Sequence, residues 1–155
     1  MNLIKDATVI LPGQTIGIIG GGQLGRMMAL AARESGFKIA VLDPTPNSPC
    51  GQIADIEITA SYDDREALHR LALISDVITY EFENINADAL DQLIGDAYIP
   101  QGTDLLRITQ DRVLEKQAIE EAGVQIAPYY CITSEEDFRQ AIDKLGYPSV
   151  LKTAR

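Results

Sequence analysis

The sequence predicts an α/β fold in which a parallel sheet is covered by helices on both faces. Short apolar runs alternate with helical patterns from residue 15 to residue 100. The first apolar run ends in three consecutive glycines that lead directly into a helical pattern. Such alternation produces parallel sheets, because each helix crosses back over one face of the sheet before the next strand begins.

Each element has its own signal. After the apolar run at 15–20, leucine, methionine and alanine recur at three- and four-residue spacing over 23–35, which is typical of an amphipathic helix. A further helix over 64–73 has Asp63 or Asp64 as its cap, and another is predicted over 87–94. Strands are predicted at 38–42, 56–59, 76–80 and 97–99.

The pattern changes after Pro100, which predicts a domain boundary near residues 101–110. A turn of helix at 104–108 and helices at 111–122 and after Ser134 are expected, with strands at 129–132 and 147–152. A strand followed at once by the last residue predicts a second domain that is begun and not finished.

Composition narrows the class of protein. Thirteen basic and twenty-three acidic residues give a net charge of −10, which argues against nucleic acid and anionic membranes as partners. The chain has neither a secretory signal pattern nor a long apolar segment, which predicts a cytoplasmic location. Cys50 and Cys131 are too far apart for a metal or redox motif and are predicted to be free, buried thiols.

Gly20, Gly22 and Gly25 form a G-x-G-x-x-G pattern between a strand and a helix. The first N–H groups of such a helix lack internal partners, so a phosphate is the expected ligand. Asp43 stands where dinucleotide-binding domains carry the carboxylate that accepts from a ribose. From this local pattern alone, a nicotinamide or flavin domain is the leading interpretation, and close packing of strand on helix is the alternative.

Four motifs, taken in order, resemble the carboxyaminoimidazole ribonucleotide synthases, also called phosphoribosylaminoimidazole carboxylase ATPase subunits, of the ATP-grasp superfamily. The motifs are GGGQLGRM at 20–27, TYEFENI at 79–85, QDR at 110–112 and GYP at 146–148. The first two are specific, whereas the later two are shared with related ATP-grasp enzymes. The similarity covers the chain from about Gly13.

The resemblance implies a Rossmann-like preATP-grasp domain at 1–105 and the truncated start of an ATP-grasp domain at 106–155. In this family the glycine loop faces a ribonucleotide substrate. Asp43 then loses its dinucleotide role and becomes a strand-end carboxylate that accepts backbone N–H groups.

The resemblance also implies a set of binding residues. Gly22, Gln23 and Leu24 occupy positions that meet the substrate, and Glu81 matches a carboxylate that holds ribose hydroxyls. Glu83 is a further candidate, with a solvated loop charge as the alternative. These residues bind and do not react.

Arg112 and Lys152 match the first ATP contacts of the family. Lys152, at the end of an apolar strand, suits nucleotide phosphates. For Arg112 the alternative is an ordinary arginine on a helix surface that binds no ligand. The family uses ATP and magnesium, but the catalytic residues and magnesium ligands lie further along the family's sequence. None is therefore predicted within this chain.

The implied reaction joins bicarbonate to 5-aminoimidazole ribonucleotide at the expense of ATP, through carboxyphosphate, in de novo purine biosynthesis. We expect the fragment itself to be inactive, and its oligomeric state, a homodimer included, stays open. Formate-dependent glycinamide ribonucleotide transformylase is one alternative, although it prefers glutamate at Gln23 and proline at Tyr80. A non-enzymatic nucleotide-binding module, favoured by Asp43, is the other.

Overall fold

A computed structural model describes residues 8–155, so the first seven residues of the predicted domain 1–105 lie outside the described residues. In chain order the elements are β1 (Thr15–Ile19), α1 (Gln23–Glu34), β2 (Lys38–Asp43), β3 (Ile56–Thr59), α2 (Arg65–Ile74), β4 (Val77–Tyr80), α3 (Ala87–Asp91), α4 (Asp104–Thr109), α5 (Arg112–Glu121) and α6 (Glu135–Leu145). Helices separate β1 from β2 and β3 from β4, a loop joins β2 to β3, and only helices follow β4.

The four strands form one parallel sheet in the order β3-β2-β1-β4, which confirms the predicted fold class. The chain runs outward from β1 through β2 to β3 and then returns to pair β4 with the other side of β1. In open parallel sheets, ligands bind beyond the carboxyl ends of the strands at such a reversal. A ligand-binding site is therefore expected beyond the carboxyl ends of β1 and β4.

The core lies on both faces of the sheet. On one face Ile18, Ile39 and Val41 pack with Ala29 of α1. On the other face, strand residues such as Ile19 pack against α2 and α3. Neighbouring strand residues point to opposite faces, so a doubly covered strand is apolar along its whole length.

Side-chain caps fix the starts of several helices. The Asp64 carboxylate accepts the Ala67 N–H at the start of α2 at 3.0 Å, so the cap is Asp64, one of the two predicted candidates. Ser134 accepts the Asp137 N–H at 3.1 Å and begins α6, also as predicted. Each cap satisfies a backbone donor that has no partner within the helix.

Three predicted strands are not formed. Residues 97–99 approach β4 through the hydrogen bond from the Ile78 N–H to the Tyr98 carbonyl at 2.9 Å, but they do not extend the sheet. Residues 129–132 and 147–152 form neither helix nor strand, and the chain bends at 147–148. A strand exists only through its neighbour, and an apolar run shows nothing about whether that neighbour is present. The helix predicted at 87–94 is also shorter and ends at Asp91.

The chain divides into two compact units, of which the first ends at Leu106 and the second is Arg107–Arg155. The first unit holds the sheet and both parts of the apolar core. In the second unit, all of whose residues the structure describes, Ala141 is the single buried residue. None of the helices within residues 8–155 has the length and apolar content needed to cross a membrane.

The two cysteines differ in environment, so the expectation of two buried thiols is wrong for the exposed Cys131. Cys50 is fully buried, and this burial, together with the nearby Glu81 carboxylate, raises the pKa of its thiol to about 11. Thiolate is the reactive form. We therefore expect one thiol to react rapidly with a disulfide reagent in the folded chain and the second only after unfolding. Cys131→Ser should remove the fast phase, and two equally fast phases would contradict this assignment.

Candidate functional site

The glycine loop connects the end of β1 to the start of α1. Gly20 has φ of +105°, which only glycine adopts without strain, and this turns the chain sharply out of the sheet. Gly22 is the N-cap of α1 with an extended backbone, and it has no side chain to satisfy the first N–H groups of the helix. The helix therefore begins with donors available at the carboxyl edge of the sheet.

The Glu81 carboxylate accepts two of these donors. Because Tyr80 is in register with Ile19, Glu81 leaves β4 beside the glycine loop, and its own N–H donates to the Ile19 carbonyl at 3.2 Å. The Gly22 N–H donates to Oε1 at 3.2 Å, and the Gly25 N–H donates to Oε2. The tertiary fold thus places a half-buried carboxylate directly on the N-terminus of α1, where the helix dipole favours negative charge.

A second carboxylate, Asp43, ends β2 and is 7% exposed. It accepts the Gly21 N–H at 2.7 Å, the Thr45 N–H at 2.8 Å and the Tyr62 hydroxyl at 2.7 Å. Burial raises the pKa of Asp43, but these hydrogen bonds outweigh it and hold the pKa below its usual value. Asp43 is therefore the expected strand-end carboxylate, and its acceptor sites are used by the chain.

Residues 48–52 form a loop that packs on the glycine loop. The Cys50 N–H donates to the Gly21 carbonyl at 2.8 Å. The Arg26 guanidinium in the first turn of α1 donates to the Pro49 carbonyl at 2.7 Å and to the Gln52 amide oxygen at 3.2 Å. These contacts fix the glycine loop, because Gly21 accepts from Cys50 through its carbonyl and donates to Asp43 through its N–H.

The structure brings together two of the predicted substrate residues, Gly22 and Glu81, by a hydrogen bond. Gln23 and Leu24, the first residues of α1, are exposed. Glu83 is exposed as well, and the chain bends over 81–83, so the extended course that would point both glutamates the same way is not kept. Substrate binding by these residues remains a prediction.

The predicted ATP residues lie in the second unit. Arg112, the first residue of α5, is exposed, and its N–H donates to the Ala154 carbonyl at 2.9 Å. Lys152 is exposed in a segment that is neither helix nor strand. Their contacts with ATP remain a prediction. Within residues 8–155, no group of three or more His, Cys, Asp or Glu side chains could hold a metal ion.

The expectation of a phosphate on the glycine loop stays a prediction, but the loop N–H groups already have acceptors within the chain. The loop N–H groups of Gly21, Gly22 and Gly25 all donate to carboxylates of the chain itself. Sequence analysis missed this because it cannot place Glu81 and the loop in contact, and it missed Tyr62 and Arg26 altogether. The sequence offered one indication of these contacts: Asp43 and Glu81 both stand at the carboxyl ends of predicted strands.

A parallel sheet with a glycine-rich first turn, an order reversal beside β1 and carboxylates at the strand ends defines a Rossmann-like domain. Residues 13–110 match the family model of the ribonucleotide synthetase preATP-grasp domain. The chain belongs to this family.

Known proteins are similar over nearly the whole chain. An N5-carboxyaminoimidazole ribonucleotide synthase of Bacillus subtilis is 58% identical over 147 residues, which are 95% of this chain and 39% of that protein. The synthetase of Staphylococcus aureus, solved with ADP, is 47% identical with a TM-score of 0.85, over 90% of this chain and 37% of that one. The Aspergillus clavatus enzyme, solved with ADP and 5-aminoimidazole ribonucleotide, is 31% identical with a TM-score of 0.78, over 88% and 37%. The chain thus spans less than two fifths of these relatives.

Proposed function

We propose that this chain supplies the ribonucleotide-binding part of an N5-carboxyaminoimidazole ribonucleotide synthase. That enzyme carboxylates 5-aminoimidazole ribonucleotide with bicarbonate at the expense of ATP. The observation that carries the proposal is the 58% identity to such a synthase over 95% of the chain. The glycine loop and Glu81 support it chemically, because a fixed carboxylate at a strand end is suited to accept the hydroxyl groups of a ribose.

ATP enters the proposal through the second unit. Arg112 and Lys152 are exposed cations, which is the chemistry that nucleotide phosphates require. Two relatives were solved with ADP, which supports ATP as the co-substrate. Magnesium would offset the negative charge of ATP. Residues 8–155 contain no group of side chains that could hold a metal ion, and we propose that the magnesium ligands lie outside them. Bicarbonate, a cytoplasmic location and a homodimeric assembly are implied by the same family resemblance.

A chimera tests the function of this chain directly. The chain would replace the 147 matching residues of the Bacillus subtilis relative, and phosphate release would be measured with and without 5-aminoimidazole ribonucleotide and bicarbonate. We expect release that depends on both compounds. A folded chimera without this activity would contradict the proposal.

Glu81→Gln in the chimera should weaken ribonucleotide binding by roughly 1–3 kcal/mol, because the change removes the charge that strengthens hydroxyl contacts and keeps the side-chain shape. The expected result is a KM for 5-aminoimidazole ribonucleotide that rises about 5- to 150-fold while the KM for ATP changes little. Glu66→Gln, an exposed glutamate on α2, is the matched control. Equal losses for both substrates would assign Glu81 to a structural role.

A further inference from the structure

The anion position of the glycine loop is already filled by the protein. In G-x-G-x-x-G loops that bind dinucleotides, the N–H groups at the helix start donate to the pyrophosphate. Here the Gly22 N–H donates to Glu81 Oε1 at 3.2 Å and the Gly25 N–H donates to Oε2. One carboxylate therefore uses the two donors that a phosphate would need.

The loop glycines are shaped around this carboxylate. A Cβ added at Gly20 would lie 2.5 Å from Glu81 Cγ, and one added at Gly22 would lie 2.8 Å from Oε1. At Gly25 it would lie 3.4 Å from Oε2. Glu81 thus uses the close backbone approach that a missing side chain permits at Gly20 and Gly22, whereas at Gly25 the nearest atom to an added Cβ is the Gly20 carbonyl oxygen.

The acidic residue of the dinucleotide pattern, Asp43, also binds groups of the protein itself. Asp43 is 7% exposed and accepts hydrogen bonds from Gly21, Thr45 and Tyr62, so its oxygens are satisfied within the protein. Glu81 keeps more capacity. Each carboxylate oxygen carries two lone pairs, and only one on each is used by a loop N–H, so one on each can still accept a hydroxyl group.

We propose that Glu81 determines the specificity of the loop: its carboxylate occupies the phosphate position, so the loop rejects phosphate and pyrophosphate groups. Like charges repel, and two anions cannot share the same pair of donors. The exclusion of phosphate does not rest on the proposed function.

Removal of the internal anion should therefore create a phosphate site. We would titrate the isotope-labelled chain with inorganic phosphate and with pyrophosphate and follow the amide signals of Gly21, Gly22 and Gly25. In the wild type we expect no saturable shift. In Glu81→Ala we expect saturable shifts confined to the loop and an affinity at least about tenfold higher, equivalent to about 1.4 kcal/mol. Glu66→Ala, which removes an exposed glutamate on α2, should behave as the wild type.

Two results would overturn the proposal. Saturable loop shifts in the wild type would show that phosphate displaces Glu81, and a folded Glu81→Ala variant without gained binding would show that the carboxylate does not block the site. If Glu81→Ala does not fold, Glu81→Gln decides. Glutamine keeps one neutral oxygen, a weaker acceptor, and places an NH₂ group where the other oxygen stood, so the Gly22 and Gly25 amide protons should move upfield, and unchanged positions would refute the contact.

The outcome is separable from that of the proposed function. If the chimera is inactive but the Glu81→Ala chain binds phosphate, the proposed function is contradicted and the exclusion of phosphate by Glu81 is supported. If the chimera is active but the Glu81→Ala chain gains no phosphate binding, the proposed function is supported and the exclusion of phosphate is contradicted.

Discussion

Gly25→Ala should lower the free energy of unfolding by about 3 kcal/mol or more, the largest effect that we expect from a single added methyl group. Gly25 is buried in the first turn of α1, and a Cβ there would collide with the backbone carbonyl oxygen of Gly20. A main-chain oxygen cannot rotate away as a side chain does. Overpacking commonly costs about 1–3 kcal/mol, and this contact lies at the upper end because the turn itself must shift.

The sign of this change opposes helix propensity. Alanine in place of glycine within a helix normally stabilises by about 0.5–1 kcal/mol. Gly95→Ala is the matched control, since no atom lies within 4 Å of its added Cβ, and we expect it to change stability little. Urea unfolding of both variants measures the difference. A loss below about 1 kcal/mol for Gly25→Ala would show that the glycine loop can relax around a side chain.

Asp43→Asn should destabilise the chain by about 2–4 kcal/mol. The carboxylate accepts from three donors, Gly21, Thr45 and Tyr62, in a site where Asp43 is 7% exposed. An asparagine of the same shape places an NH₂ group against at least one of these donors, which leaves a buried donor without an acceptor and removes the charge from the others. Urea unfolding at neutral pH measures the loss.

Tyr62→Phe is the graded comparison, because it removes one donor and leaves the backbone donors of Gly21 and Thr45 in place. We expect a smaller cost of about 1–2 kcal/mol. Combined with Asp43→Asn, the two changes should be strongly non-additive, since both remove the same contact. Additive losses would mean that the Tyr62 hydroxyl stabilises the fold independently of Asp43, because phenylalanine keeps the ring that packs on Phe82.

The advantage of Asp43 over asparagine should depend on pH. The folded-state pKa of Asp43 lies below its ordinary value, so the unfolded chain takes up this proton first as the pH falls. The stability difference between wild type and Asp43→Asn is therefore full above the unfolded pKa of about 3.9 and is lost as the pH falls through the folded pKa. Other carboxylates titrate in both proteins and cancel. A difference that stays constant through this range would contradict the assignment.

The local elements of the first unit follow from the sequence because their causes are local. The alternation of apolar runs with helical spacing predicted β1 to β4 and α1 to α3, and Asp64 marked the start of α2. Within the run at 38–42, residues 39–42 are continuously apolar because β2 is buried on both faces after the exposed Lys38. Periodicity and capping depend on residues only a few positions apart, so one sequence is sufficient to read them.

Contacts between distant residues depended on the tertiary structure. The strands expected at 97–99, 129–132 and 147–152 needed neighbours that an apolar run cannot supply. The glycine loop was predicted by its pattern, but the acceptor of its Gly22 N–H is Glu81, which is fifty-nine residues from Gly22 in the chain. The sequence by itself determined that the loop presents donors at the edge of a parallel sheet. Only the pairing of β4 with β1 decided that a carboxylate accepts them, because that pairing is what brings Glu81 to the start of α1.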